Sequence, residues 1–141
     1  MSGNVRIGIL RTAILDSYAI LAYLFGEPGS DKVVAVLERA AEAGKNTLIA
    51  APNWAEVRYM VERKAGGSKW EAVSEKLLGL PLEVVAADRQ LAEIAGSIKV
   101  KHKMSLADCF AAALAKDRKG DVYTGDPEFK SIEGHVKVVW I

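Results

Sequence analysis

The stretch from Met104 to Lys116, Met-Ser-Leu-Ala-Asp-Cys-Phe-Ala-Ala-Ala-Leu-Ala-Lys, constrains the fold more than any other part of the chain. Leu106, Ala107, Phe110, Ala111, Ala113 and Leu114 recur at helical spacing, and Cys109, Ala112 and Ala115 fill the other faces, so the predicted helix is apolar nearly all round. A helix of that kind belongs inside a protein. Its body carries one charge, Asp108, and an unpaired carboxylate in a protein interior costs several kcal/mol. Ser105-x-x-Asp108 resembles a capping box, with Ser105 at the N-cap and Asp108 favoured by the positive end of the helix dipole, which accounts for the acid without any chemistry. The alternative is that other acids converge on it.

The rest of the chain supplies layers that could cover such a helix. Short apolar runs at residues 13–15, 48–51, 82–85, 121–124 and 136–140 are expected strands. Between them lie predicted helices over 18–25, with Ser17 as N-cap and Gly26 as stop, and over 31–43, 53–64, 69–78 and 89–100, the last capped by Asp88. A short helical turn is expected from Glu128 to Ile132. Strands alternating with helices imply an α/β fold whose mostly parallel sheet of four to five strands is flanked by helices on both faces, with right-handed crossovers. At 141 residues, with half of them hydrophobic, the chain fits a single domain over 1–141, in which residues 1–11 form an N-terminal extension or an extra strand.

Composition narrows the chemistry. The only cysteine, Cys109, cannot form an internal disulfide and is expected to be a core thiol. No apolar run is long enough to span a bilayer and the N-terminus lacks the build of a signal peptide, so no membrane association and a cytoplasmic location are expected. A net charge of +1 provides no global drive toward nucleic acid, and an anionic partner must be held by local patches. The run Lys99-Val-Lys-His-Lys103 is such a patch, directly before the helix that carries Asp108. His102 and His135 share no spacing that suggests a metal pair.

In open parallel sheets, ligands gather beyond the carboxyl ends of the strands. Asp16 and Asp126 each fall just after a predicted strand, while Glu56 and Asp108 lie near the starts of helices that can face the same edge. Two carboxylates about 4 Å apart repel by roughly 4 kcal/mol at an effective dielectric near 20, so several in one pocket require protons or a cation. Oxygen ligands without Cys or His suit Mg2+ or Mn2+, one or two ions, completed by substrate phosphate.

Ile14-Leu-Asp16-Ser-Tyr-Ala-Ile-Leu21, Trp54-Ala-Glu56-Val57, Leu106-Ala-Asp108-Cys-Phe-Ala-Ala-Ala-Leu-Ala115 and Thr124-Gly-Asp126-Pro-Glu-Phe129 resemble, in order, the acidic motifs of PIN-domain nucleases, and most closely those of small VapC-like ribonuclease toxins. The resemblance implies a compact PIN-like α/β domain, Mg2+- or Mn2+-dependent endonucleolytic cleavage of RNA, a homodimer and an inhibiting antitoxin protein. It implies that Asp16, Glu56, Asp108 and Asp126 are the metal-binding and catalytic acids, with Thr124 and Ser17 as helpers toward the substrate. Lys101 and Lys103, with Lys99, Arg58, Lys64 and Lys116, are candidates for gripping the RNA backbone. Hydrolysis of this kind is expected to leave a 5′-phosphate. Two other classes share these acids: a structure-specific DNA nuclease, for which the chain is short, and a non-catalytic module that binds RNA or another protein.

Overall fold

Three- and four-residue apolar runs, each leading into or out of a capped helix, set the strands. A computed structural model describes residues 11–141, so the expected extension over 1–11 lies, except for Arg11, outside the described residues. The strands β1 (Ala13–Leu15), β2 (Thr47–Ala50), β3 (Leu82–Val85), β4 (Asp121–Thr124) and β5 (Lys137–Trp140) form one sheet in the order β3-β2-β1-β4-β5. Every neighbouring pair is parallel: Ile14 lies opposite Leu48 and Val122, Leu48 opposite Glu83, and Val122 opposite Val138. Parallel pairs demand crossovers, supplied by α1 (Ser17–Phe25), α2 (Ser30–Glu42), α3 (Ala51–Ala65), α4 (Gly67–Leu78), α5 (Arg89–Lys101), α6 (Leu106–Arg118) and a 3-10 helix, Pro127–Ile132. The fold is a single α/β domain with an all-parallel sheet. Among the described residues, no helix is long and apolar enough to cross a membrane.

The twofold alternation of strand side chains divides the core. Ile14, Leu48, Ala50 and Val122 point to one face and pack with α5, α6 and the 3-10 helix, through Leu91, Leu114 and Phe129 among others, and with Met104 of the α5–α6 connector. Ala13, Leu15, Ile49 and Leu82 point to the other, against α1 to α4. Both faces are therefore covered, and β1 and β2 are buried throughout.

The alanine-rich helix α6 is interior for most of its length. Cys109 and every residue from Ala111 to Ala115 are buried, with only Leu114 large among Ala111–Ala115, so the helix lies close to the sheet. Leu106, expected inside, is exposed, and Phe110 is half-buried. The reason is length: the 13 residues of α6 span about 20 Å, whereas four-residue strands span about 13 Å, so the first turn overhangs the sheet. From α6 the chain reverses through Lys119, at φ 52°, and Gly120, where a Cβ would overlap the Thr12 carbonyl oxygen.

Two other local expectations change. The N-cap of α1 is Asp16 rather than Ser17, because Asp16 keeps the extended backbone of the strand exit while Ser17 is already helical. The basic run is mostly the last turn of α5, which continues to Lys101 and leaves only His102 to Met104 as the connector.

Candidate active site

The sheet order reverses at β1 and β4, which lie side by side while their chain continues outward in opposite directions. A crevice beyond the carboxyl ends of such strands is where ligands collect. Asp16 follows β1 directly, and Asp126 follows β4 after Thr124 and Gly125.

Asp16 is fully buried. Its Oδ1 accepts the Ala19 backbone N–H at 2.9 Å, capping α1, and its Oδ2 accepts the Thr124 hydroxyl at 2.5 Å. The Asp126 N–H in turn donates to Thr124 Oγ1 at 2.9 Å. That donor occupies a lone pair of the hydroxyl and directs its single proton to Asp16. Burial pushes the Asp16 carboxyl up to about 7; the Thr124 and Ala19 hydrogen bonds oppose this, and the charges of Asp126 and Glu56 add to it.

Asp108 occupies the first turn of α6, and its N–H donates to Ser105 Oγ at 3.2 Å, so the cap expected from the sequence is present. The returning half of a capping box is made by another residue: the Ser105 N–H donates to Glu128 Oε1 at 2.9 Å. The Asp108 carboxyl is thereby released from capping. It is pushed up to about 8, first by burial, then by its hydrogen bond with Glu128 and by the charges of Asp126 and Asp16. Glu128 moves the opposite way, held down first by the Ser105 N–H and then by Asp108. Asp126 Oδ1 accepts the Glu128 N–H at 2.9 Å, fixing the start of the 3-10 helix.

Asp108, Asp126 and Glu128 each offer an oxygen, and these atoms lie within 4.8 Å of one another. Asp16 stands close enough to Asp126 and Glu56 for their charges to act on it. Glu56, in the second turn of α3, accepts the Ser17 hydroxyl at 2.7 Å. Asn53, one turn earlier on α3, is fully buried; its Nδ2 donates to the Ala107 carbonyl at 3.2 Å and so ties the start of α3 to the start of α6. Its Oδ1 is the buried side-chain acceptor left without a partner among the described residues. Mutually repelling acids, two of them holding their protons unusually tightly, together with an orphaned acceptor, are what a divalent cation with its water would satisfy. Every donor is an oxygen, which fits a hard ion.

The structure thus places the four predicted acids at one sheet edge and adds two residues the sequence reading did not single out. Glu128 follows Asp126 by two residues, and only the tight turn begun by Pro127 brings both toward Asp108. Asn53 precedes Glu56 by three residues on one helix face, a spacing that could have signalled it. Thr124 is fully buried and its hydroxyl donates to Asp16, so in this structure it positions an acid. Ser17 likewise spends its hydroxyl on Glu56. Lys101 and Lys103 are exposed, Lys101 lining a cavity of about 290 Å³ on the α5–α6 flank with Lys116, His102 and His135. Lys99 donates to the Met104 carbonyl at 2.6 Å and Arg58 to Glu62 at 2.6 Å, which fixes where each cation sits. The two histidines, which share no sequence spacing, meet edge to face with ring centroids 5.2 Å apart.

Comparison with known proteins bears on family and fold. The family model of the PIN domain matches residues 13–134. No curated protein matches the chain. Among solved structures, VapBC2 from Rickettsia felis, bound to a DNA fragment from its promoter, aligns with a TM-score of 0.76 and 17% identity over 92% of this chain and 98% of that one. DNA-bound VapBC from Salmonella typhimurium gives 0.74 and 22% over 93% and 98%. VapC20 of Mycobacterium tuberculosis, a sarcin-ricin loop cleaving toxin, gives 0.66 and 17% over 84% and 93%. At these identities the likeness is one of fold.

Proposed function

The chain belongs to the PIN domain family, and from that premise we propose that it is a Mg2+- or Mn2+-dependent endoribonuclease, the toxin of a toxin–antitoxin pair. The observation that carries the reading is the approach of Asp108, Asp126 and Glu128 to within 4.8 Å beside a buried Asp16, at the point where the sheet order reverses. In this reading Asp16, Asp108 and Asp126 would hold one or two ions, and Glu56, steadied by Ser17, would orient the attacking water. When bound, the divalent ion neutralises charge on the phosphodiester and makes water a better nucleophile. Thr124 aims Asp16 and favours its ionised form against the opposing effect of burial. Glu128 caps α6 in place of Asp108 and so leaves that carboxylate available. The fold shared with VapBC complexes supports an antitoxin partner; a homodimer and a cytoplasmic site of action complete the reading.

The test is cleavage of an end-labelled mixed RNA pool, with Mg2+, Mn2+ or chelator, by the wild type and by Asp108→Asn. Metal-dependent cutting to 5′-phosphate ends, lost in the variant, is the expected result. Products ending in 2′,3′-cyclic phosphate, or cutting that persists in chelator, would overturn it.

A further inference from the structure

Tyr18 sits at the mouth of the acidic site, in the first turn of α1 and two residues after Asp16. It is 44% exposed and belongs to neither apolar cluster, whereas Tyr23 and Tyr123 both pack against the core. Its position is nevertheless built. The ring rests on Gly125, between Thr124 and Asp126, and a Cβ placed on Gly125 would overlap the ring carbons. The missing side chain is what lets the ring lie on the backbone that carries Asp126, with the rest of it open to solvent.

Half-buried Glu56 and Asp126 and exposed Glu128 line this edge, while Lys101 and Lys116 line the α5–α6 flank. The divalent ion proposed for the acids would engage the phosphate, which leaves the neighbouring base to be held by an uncharged contact. An aromatic ring supplies one, because every base has a flat face and stacks on it whatever its sequence. Unpaired bases splayed from the backbone are also the form in which single strands are gripped.

We propose that Tyr18 is a stacking platform for an unpaired base next to the phosphate that is cut. The proposal rests on the reading of this edge as a nuclease site for single-stranded RNA, and it adds a base-binding subsite to it. The hydroxyl has no part in the contact; the ring does.

The experiment is equilibrium binding of a fluorescein-labelled single-stranded oligoribonucleotide to the full chain in chelator, where a metal-dependent nuclease does not cut. Tyr18→Ala is expected to weaken binding about 5- to 150-fold, the equivalent of roughly 1–3 kcal/mol per stacked base. Tyr18→Phe is expected to bind within about twofold of wild type. Tyr18→Leu keeps apolar bulk without a ring and is expected to fail as alanine does, with melting temperatures confirming that both fold. An abasic nucleotide walked along the strand should cost the wild type a similar factor at one position and cost Tyr18→Ala nothing there. Equal binding by wild type and Tyr18→Ala, or an abasic walk that is the same for both, overturns the platform and leaves the nuclease reading standing. A wild type that binds no single strand in chelator overturns the platform, whereas the nuclease reading falls separately if RNA is not cut when Mg2+ or Mn2+ is supplied.

Discussion

Asp121 and Asp108 are buried to nearly the same degree, 6% and 5% exposed, at opposite ends of the sheet. At the start of β4, Asp121 accepts from Arg11 at 2.7 Å, and at the start of β2, two strands away, the Thr47 hydroxyl donates to the Pro81 carbonyl at 2.8 Å. At the other end Asp108 meets Glu128, Asp126 and Asp16. The amino ends of the strands are closed electrostatically, each buried group matched by its opposite. The carboxyl ends are left with like beside like. Burial alone marks neither; what surrounds the carboxylate decides whether it is a strut or a site.

The largest test of that contrast is the paired substitution of the two acids. Asp108→Asn is expected to lower metal-dependent RNA cleavage by at least about 100-fold, since an ion that stabilises developing charge contributes several kcal/mol and this change removes one of its ligands. Asp121→Asn should leave the cleavage rate within about twofold and cost about 1 kcal/mol of stability, because Arg11 is half exposed and its pairing is screened. Rates and denaturation midpoints measured side by side decide it; equal losses of cleavage would erase the distinction between the two ends.

A finer probe is Thr124→Val, which keeps the shape and deletes the hydroxyl that favours ionised Asp16. The Asp16 carboxyl should rise further, moving the acid limb of the pH–rate profile upward. At neutral pH the rate should fall about tenfold, in keeping with a hydrogen bond to a charged group worth ~1.5 kcal/mol or more. Thr124→Ser, which restores the hydroxyl, should recover most of it.

Stability against pH sharpens the comparison again. Asp16 and Asp108 are raised from 3.8 to about 7 and about 8, so between those values the folded chain binds protons that the unfolded chain has released. Their contribution to stability is therefore greatest in acid and falls as pH climbs from about 4 to about 8 in the absence of metal. Melting temperatures in chelator should decline over that window by several degrees. Mg2+ or Mn2+ should flatten the decline, and Asp108→Asn should make it shallower even without metal. The smallest effect belongs to the amino end: Arg11→Ala should change stability by about 1 kcal/mol or less, with cleavage unaltered.

Much of this was legible in the chain. A helix apolar all round with a single acid had to lie inside, and α6 does; acids following strands had to fall at the carboxyl edge, and Asp16 and Asp126 do. What escaped depended on contacts across the fold. Asp16 and Ser17 are both good caps, and only the extended backbone at Asp16 chooses between them. That Glu128 would take the Ser105 N–H, freeing Asp108, is a relation between residues far apart in sequence. Periodicity could not foresee that Leu106 overhangs the sheet, because the length of the strands, rather than the pattern of the helix, sets where the core stops.

The run of small side chains on α6 has a consequence for how the chain tolerates error. Around Ala111, Ala112, Ala113 and Ala115 there is no spare room, and an added methyl or two would cost about 1–3 kcal/mol or tilt the whole rod. Because Asp108 rides on the same rod, a tilt far from the acids would misalign them. In a library of random variants, the inert alanines should thus admit fewer replacements than exposed Leu106, which stands two residues from the chemistry.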